Sequence, residues 1–160
     1  MIAIIDYGMG NLRSVQKALE KVGAETVITS DKRKIEAADK VVLPGVGAIR
    51  PAIDRLKELG LVETIKMVVK NGKPFLGICL GLQLLFEKSF EGGEVAALGI
   101  LPGSVTIFDG RGLKVPHMGW NTIKKTENVR LSLLNGISNE DYFYFVHSYF
   151  PVPEDQKLIA

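Results

Sequence analysis

Cys79 is the one cysteine of the chain, and it stands in Gly77-Ile78-Cys79-Leu80-Gly81, a small-x-nucleophile-x-small pattern. A thiol held on a tight strand-to-helix turn needs neighbours without side chains, because only they let strand and helix pass close beside a strained residue. The same turn puts the sulfur at a helix N-terminus, whose partial positive charge favours the thiolate, the form that attacks. The amide N–H of Leu80 then points at an oxygen that gains negative charge as the thiolate adds to a carbonyl. Pro44-Gly45-Val46-Gly47 ends an earlier apolar run, where two glycines let the backbone turn N–H groups outward. Acyl transfer needs donors converging on one oxygen, and this loop is the candidate second source. The plainer alternatives are a cysteine packed as a small hydrophobe and an ordinary strand-to-helix loop.

These residues require a frame that brings two strand ends together. Short Val-, Ile- and Leu-rich runs alternate with segments of helical period, the pattern of a parallel sheet with helices on its faces. Strands are expected at Met1 to Ile5, Glu25 to Ile28, Val41 to Leu43 (stopped by Pro44) and Pro74 to Ile78. Helices are expected from Leu12 to Val22 before Gly23, from Ile49 to Leu56 before Gly60, from Leu61 to Val69 before Asn71-Gly72, and from Leu80 to Lys88. In a parallel sheet Pro44-Gly45-Val46-Gly47 and Cys79 share the carboxyl edge, where such folds bind ligands. Beyond Glu91 the pattern changes to strand-like runs at Ile100-Leu101, Val105 to Phe108, Asn121 to Ile123 and Tyr142 to Val146, separated by turns. This predicts sheet additions and hairpins within one domain spanning residues 1–160. Asp6-Tyr7-Gly8-Met9-Gly10-Asn11 imitates the start of a dinucleotide fingerprint, but position 13 is Arg where the third glycine belongs. Its glycines are expected to serve a turn against the neighbouring loops.

Composition narrows the function classes. With 160 residues, 46% hydrophobic, the chain can bury the core of one ordinary domain. Its formal net charge of +2 is spread along the chain, which gives no footprint for nucleic acid. No apolar run reaches the ~18 residues of a membrane span, and no basic leader precedes the first strand. One cysteine excludes an internal disulfide and, with no export signal, points to the cytoplasm. His117 and His147 stand far apart in sequence without a neighbouring ligand, so no metal is expected.

Taken together, Pro44 to Gly47, Gly77 to Phe86, Pro116-His117-Met118-Gly119-Trp120-Asn121 and Tyr144-Phe145-Val146-His147-Ser148-Tyr149 resemble the class I (triad) glutamine amidotransferases. The Pro-His-Met-Gly-Trp-Asn run is most similar to the glutaminase subunit of imidazole glycerol phosphate synthase, from histidine biosynthesis. The resemblance implies a flavodoxin-like three-layer α/β fold, with a mostly parallel central sheet and antiparallel strands added in the second half. It implies that Cys79 forms a glutamyl thioester, that Leu80 and the Val46-Gly47 peptide supply oxyanion donors, and that Gly47, Gln83, Ser148 and Tyr149 hold L-glutamine. Pro116 to Asn121 and Tyr144 would face a cyclase subunit in a heterodimer that receives ammonia by a sheltered passage. No cofactor is implied. Another amidotransferase of this class and a non-catalytic scaffold on the same fold are the alternatives.

The family pairs its thiol with a His-x-Glu motif near the C-terminus, and this sequence has none. His147 belongs to the Val-His-Ser-Tyr strand and lacks an acidic residue two positions on; it is expected to be a packed strand histidine. Pro151 to Gln156 reads as an exposed turn, and Lys157 to Ala160 as the opening of a strand. The domain is therefore expected to be C-terminally incomplete, and the chain inactive or nearly so.

Overall fold

The computed structural model describes residues 1–110, 112, 114–126 and 132–159. The first half lays down β1 (Ile2–Ile5), α1 (Leu12–Lys21), β2 (Thr26–Thr29), α2 (Lys32–Ala37), β3 (Lys40–Gly45), α3 (Ile49–Glu58), α4 (Leu61–Lys70) and β4 (Phe75–Cys79). The four strands form one parallel sheet in the order β2-β1-β3-β4. Alternation along the strands sends Ile5, Val41 and Leu43 to one face. There they pack with Ile35 of α2, Ile53 and Leu56 of α3, and Ile65 and Val68 of α4 in a single core. The opposite face carries α1, which buries none of its residues fully. Its cover is thin, and Ile2, Leu19, Val42 and Leu76 line a groove there.

Helix α2 is absent from the sequence expectations although its signal was present. Asp31 caps it, accepting from the Arg33 N–H at 2.9 Å, the usual role of an N-terminal Asp. Its far end is held from outside, where Lys73 Nζ donates to the carbonyls of Glu36 (2.7 Å) and Ala38. Pro44 does not stop the third strand, which continues through Gly45. Pairing with β1 ends at Val42, so beyond it β3 is paired only with β4, and a proline without an N–H fits such a locally one-sided edge.

The expected helix from Leu80 to Lys88 is a single turn, α5 (Leu80–Gln83), followed by β5 (Phe86–Ser89). The carbonyls that a longer helix would use are taken. Leu84 O accepts from Leu98 N, Leu85 O from Ile100 N and Leu101 N, and Phe86 O from Gly99 N. After β6 (Val95–Ala96), the two expected runs near Ile100 and Val105 merge into β7 (Leu101–Ile107). Then come β8 (His117–Thr122), β9 (Tyr142–His147) and β10 (Tyr149–Pro153). Strands β10-β7-β5-β6 form a mixed second sheet, and β8-β9 an antiparallel hairpin.

Two terminal expectations are corrected. Tyr149 to Pro153 is strand, paired with Gly103 to Ile107, where an exposed turn was expected from Pro151 onward. Gln156–Leu158 is a 3-10 turn, capped by Asp155 accepting from Lys157 N at 2.9 Å, so no strand begins there; Ala160 lies outside the described residues.

Candidate active site

Cys79 ends β4 with φ 56° and ψ −117°, and among the described residues it is the single non-glycine at positive φ. That backbone stores strain, which persists where the surroundings dictate the turn. They do so here through missing side chains. A Cβ on Gly81 would lie 1.8 Å from the Leu43 carbonyl oxygen, and one on Gly77 would lie 2.7 Å from the Gly81 oxygen. Strand β4, α5 and β3 therefore touch backbone to backbone, and the sulfur is lifted out at the tip. Cys79 is exposed.

The register pairs Gly45 with Cys79, which sets the turn after β3 beside the thiol. Val46 and Gly47 line the same cleft as Cys79 and Leu80, a space of about 380 Å³, and Gly47 turns at φ 86°. The β1–α1 turn braces this loop: a Cβ on Gly10 would meet Pro44 Cβ at 3.4 Å, and one on Gly47 would meet Met9 Cε at 3.4 Å. The imitation fingerprint thus packs against a neighbouring loop, as its glycines suggested.

Gln83, Ser148 and Tyr149 lie on the same cleft, with Gln83 Nε2 donating to the Tyr149 carbonyl at 3.2 Å. All the residues marked for oxyanion donation or substrate binding are therefore brought together. Glu91 was missed. It lines the cleft while its carboxylate accepts from Ile49 N at 2.9 Å, across 42 residues of sequence, so no local pattern could reveal it.

Pro116 also lines this cleft, whereas the rest of the Pro116 to Asn121 run extends away along β8. Its cross-strand pairs Met118–Val146 and Trp120–Tyr144 present one open apolar face, with Trp120 69% and Tyr144 54% exposed. His117 and His147, remote in sequence, are direct cross-strand partners with ring centroids 5.5 Å apart. No group of three His, Cys, Asp or Glu able to hold a metal occurs among the described residues. His147 faces the cleft, its Nδ1 3.0 Å from the Tyr149 carbonyl and its ring against Phe108. Among the described residues neither histidine is paired with a carboxylate or hydrogen-bonded to Cys79.

The sequence profile described as glutamine amidotransferase class-I matches residues 3–159. The chain belongs to that family. This amidotransferase is 54% identical over 159 residues to the imidazole glycerol phosphate synthase subunit HisH of Aquifex aeolicus (strain VF5), covering 98% of its own length and 74% of that protein. It is 56% identical over 152 residues to the subunit of the same name in Caldanaerobacter subterraneus subsp. tengcongensis, covering 94% of itself and 72% of the relative. A crystal structure of a glutamine amidotransferase superposes with a TM-score of 0.69 over 97% of this chain and 75% of the other; at 20% identity that likeness speaks for the fold. No helix among the described residues is long and apolar enough to cross a membrane.

Proposed function

We propose that this chain is the glutaminase subunit of an imidazole glycerol phosphate synthase, hydrolysing L-glutamine and passing ammonia to a cyclase subunit in histidine biosynthesis in the cytoplasm. The observation that carries the reading is the exposed Cys79, held at positive φ where the Val46-Gly47 turn shares its cleft. The thiolate attacks the side-chain amide carbon, and the oxygen takes up charge before the N–H groups of Leu80 and the Val46-Gly47 peptide. The C–N bond breaks, the leaving nitrogen regains the proton the thiol gave up, and water then splits the thioester to glutamate. Gly47, Gln83, Ser148 and Tyr149 bind the substrate. Glu91, the carboxylate of the cleft wall, receives its α-ammonium.

The apolar face of the β8–β9 hairpin, with Met118, Trp120 and Tyr144, is the surface for the cyclase, and Pro116 joins it to the cleft. Ammonia in bulk water becomes ammonium, which is no nucleophile, so a sheltered passage to the partner is a chemical need. A glutamine-mimicking electrophile should label Cys79 and lose competition as glutamine is added. Labelling that glutamine does not suppress would remove the reading.

A non-catalytic scaffold on the same fold is the second reading, favoured by the want of a histidine bonded to Cys79. On that ground the 160-residue chain by itself turns glutamine over slowly or not at all. Ammonia release measured with the cyclase subunit present, for this chain and its Cys79→Ala variant, tests it; rapid Cys79-dependent turnover would show that His147 or another group serves as base.

A further inference from the structure

We propose that Glu91 is a positioning residue for the oxyanion turn, its carboxylate capping α3 and so anchoring the far end of the Val46-Gly47 segment beside Cys79. The inference rests on the reading of Cys79 given above, and it gives Glu91 a second task besides receiving the ammonium of the substrate.

Helix α3 lacks a cap of its own. The first N–H groups of a helix have no partner within it, and a side chain at the cap position normally accepts one of them. Ala48 occupies that position in extended backbone and has no acceptor to offer. Ala52 N donates to Ala48 O at 3.4 Å and Pro51 has no N–H, which leaves the donors of Ile49 and Arg50. Glu91 Oε2 accepts from Ile49 N at 2.9 Å. Glu91 is itself held, because its N–H donates to Ser89 Oγ at 3.2 Å and Ser89 is buried at the end of β5. The second sheet thus reaches across and fixes the start of a helix of the first.

What this contact spans gives it a role in the chemistry. Gly45 is fixed by its pairing with Cys79, and Ile49 is fully buried in the core. Only Val46, Gly47 and Ala48 lie between those two points, with Gly47 at φ 86°. A glycine-bearing turn can aim its N–H groups in several directions, so pinning both of its ends restricts where they point. Donors act most strongly when they need no reorientation as charge develops. Among the described residues no other hydrogen bond engages the carboxylate, so its second oxygen can take the ammonium without displacing the cap.

Inactivation by a chloromethyl ketone analogue of L-glutamine separates the two tasks. The Cys79 sulfur bonds to the methylene carbon, chloride leaves, and the ketone oxygen stands where the amide oxygen would; KI reports binding and kinact reports the fit to the turn. Glu91→Gln keeps an oxygen for Ile49 N without the charge, so KI should rise about tenfold or more while kinact stays within about twofold. Glu91→Ala removes both, and kinact should also fall about tenfold or more. Adding Ala48→Ser to Glu91→Ala supplies a local cap that secures the helix, and should return kinact to within about threefold of wild type with KI still raised. A kinact in Glu91→Ala equal to wild type would overturn the proposal and leave the ammonium-binding task standing. An equal fall in the Gln and Ala variants, or no recovery in the double variant, would overturn it too. A wild-type Cys79 that the ketone does not label would instead remove the reading of the nucleophile, and the proposal with it.

Discussion

In the sheet β1–β4, Ile4, Ile5, Val41 and Leu43 are at most 1% exposed, whereas Met118, Trp120, Tyr144 and Val146 of the β8–β9 hairpin are each more than half exposed. Both regions are strands rich in large apolar residues. The sheet is covered by helices drawn from its own connections, so its side chains close a core and its backbone can hold a strained turn at Cys79. Among the described residues the hairpin has two strands and nothing over its outer face, which leaves a contiguous apolar surface open. The first region makes the chemistry rigid. The second leaves room for a partner.

The sharpest way to break this contrast is to place one methyl group in each region. Gly81→Ala drives a Cβ into the Leu43 carbonyl and should cost on the order of 3–5 kcal/mol or prevent folding, as read by chemical denaturation. Gly119→Ala meets nothing within 4 Å and, at φ 145°, should cost only about 1 kcal/mol. Equal costs would mean that the two regions are not differently packed.

Alkaline titration probes the core next. Tyr7 has its folded pKa raised to about 12 from 10.0, so the folded state holds that proton more tightly than the unfolded one. Its contribution is full below pH 10 and is lost as pH rises toward 12, amounting to roughly 2–3 kcal/mol. Tyr7→Phe should flatten that limb of the stability curve, measured by urea unfolding at successive pH values. Lys73→Met, which frees the carbonyls closing α2, should cost about 1 kcal/mol by the same method. Smallest in stability is the pair Trp120→Ser and Tyr144→Ser, expected within about 0.5 kcal/mol of wild type because both are exposed. The same pair should weaken binding to the cyclase subunit at least tenfold by calorimetry, since exposed aromatic anchors carry most interface energy.

Much of the frame was readable along the chain. The four parallel strands, the helices on either side and the elbow at Cys79 follow from apolar period and glycine placement, signals contained within five to fifteen residues. Missed features depended on distant competition. Leu84, Leu85 and Phe86 continue a helical pattern, but Leu98 to Leu101 claim their carbonyls and turn the segment into β5. Glu91 reaches the cleft only because α3 begins beside it, and His117 meets His147 only because the hairpin aligns them.

What the sequence determined alone was the glycine-flanked turn at Cys79 and the kind of sheet that must present it. Backbone sterics around Gly77 and Gly81, and the period of burial, act locally and leave their mark in residue types. The tertiary structure decided which groups stand around that sulfur. Gly45 is the register partner of Cys79 and Glu91 lines the same cleft, because strand register and competition for backbone carbonyls are settled between segments far apart in the chain.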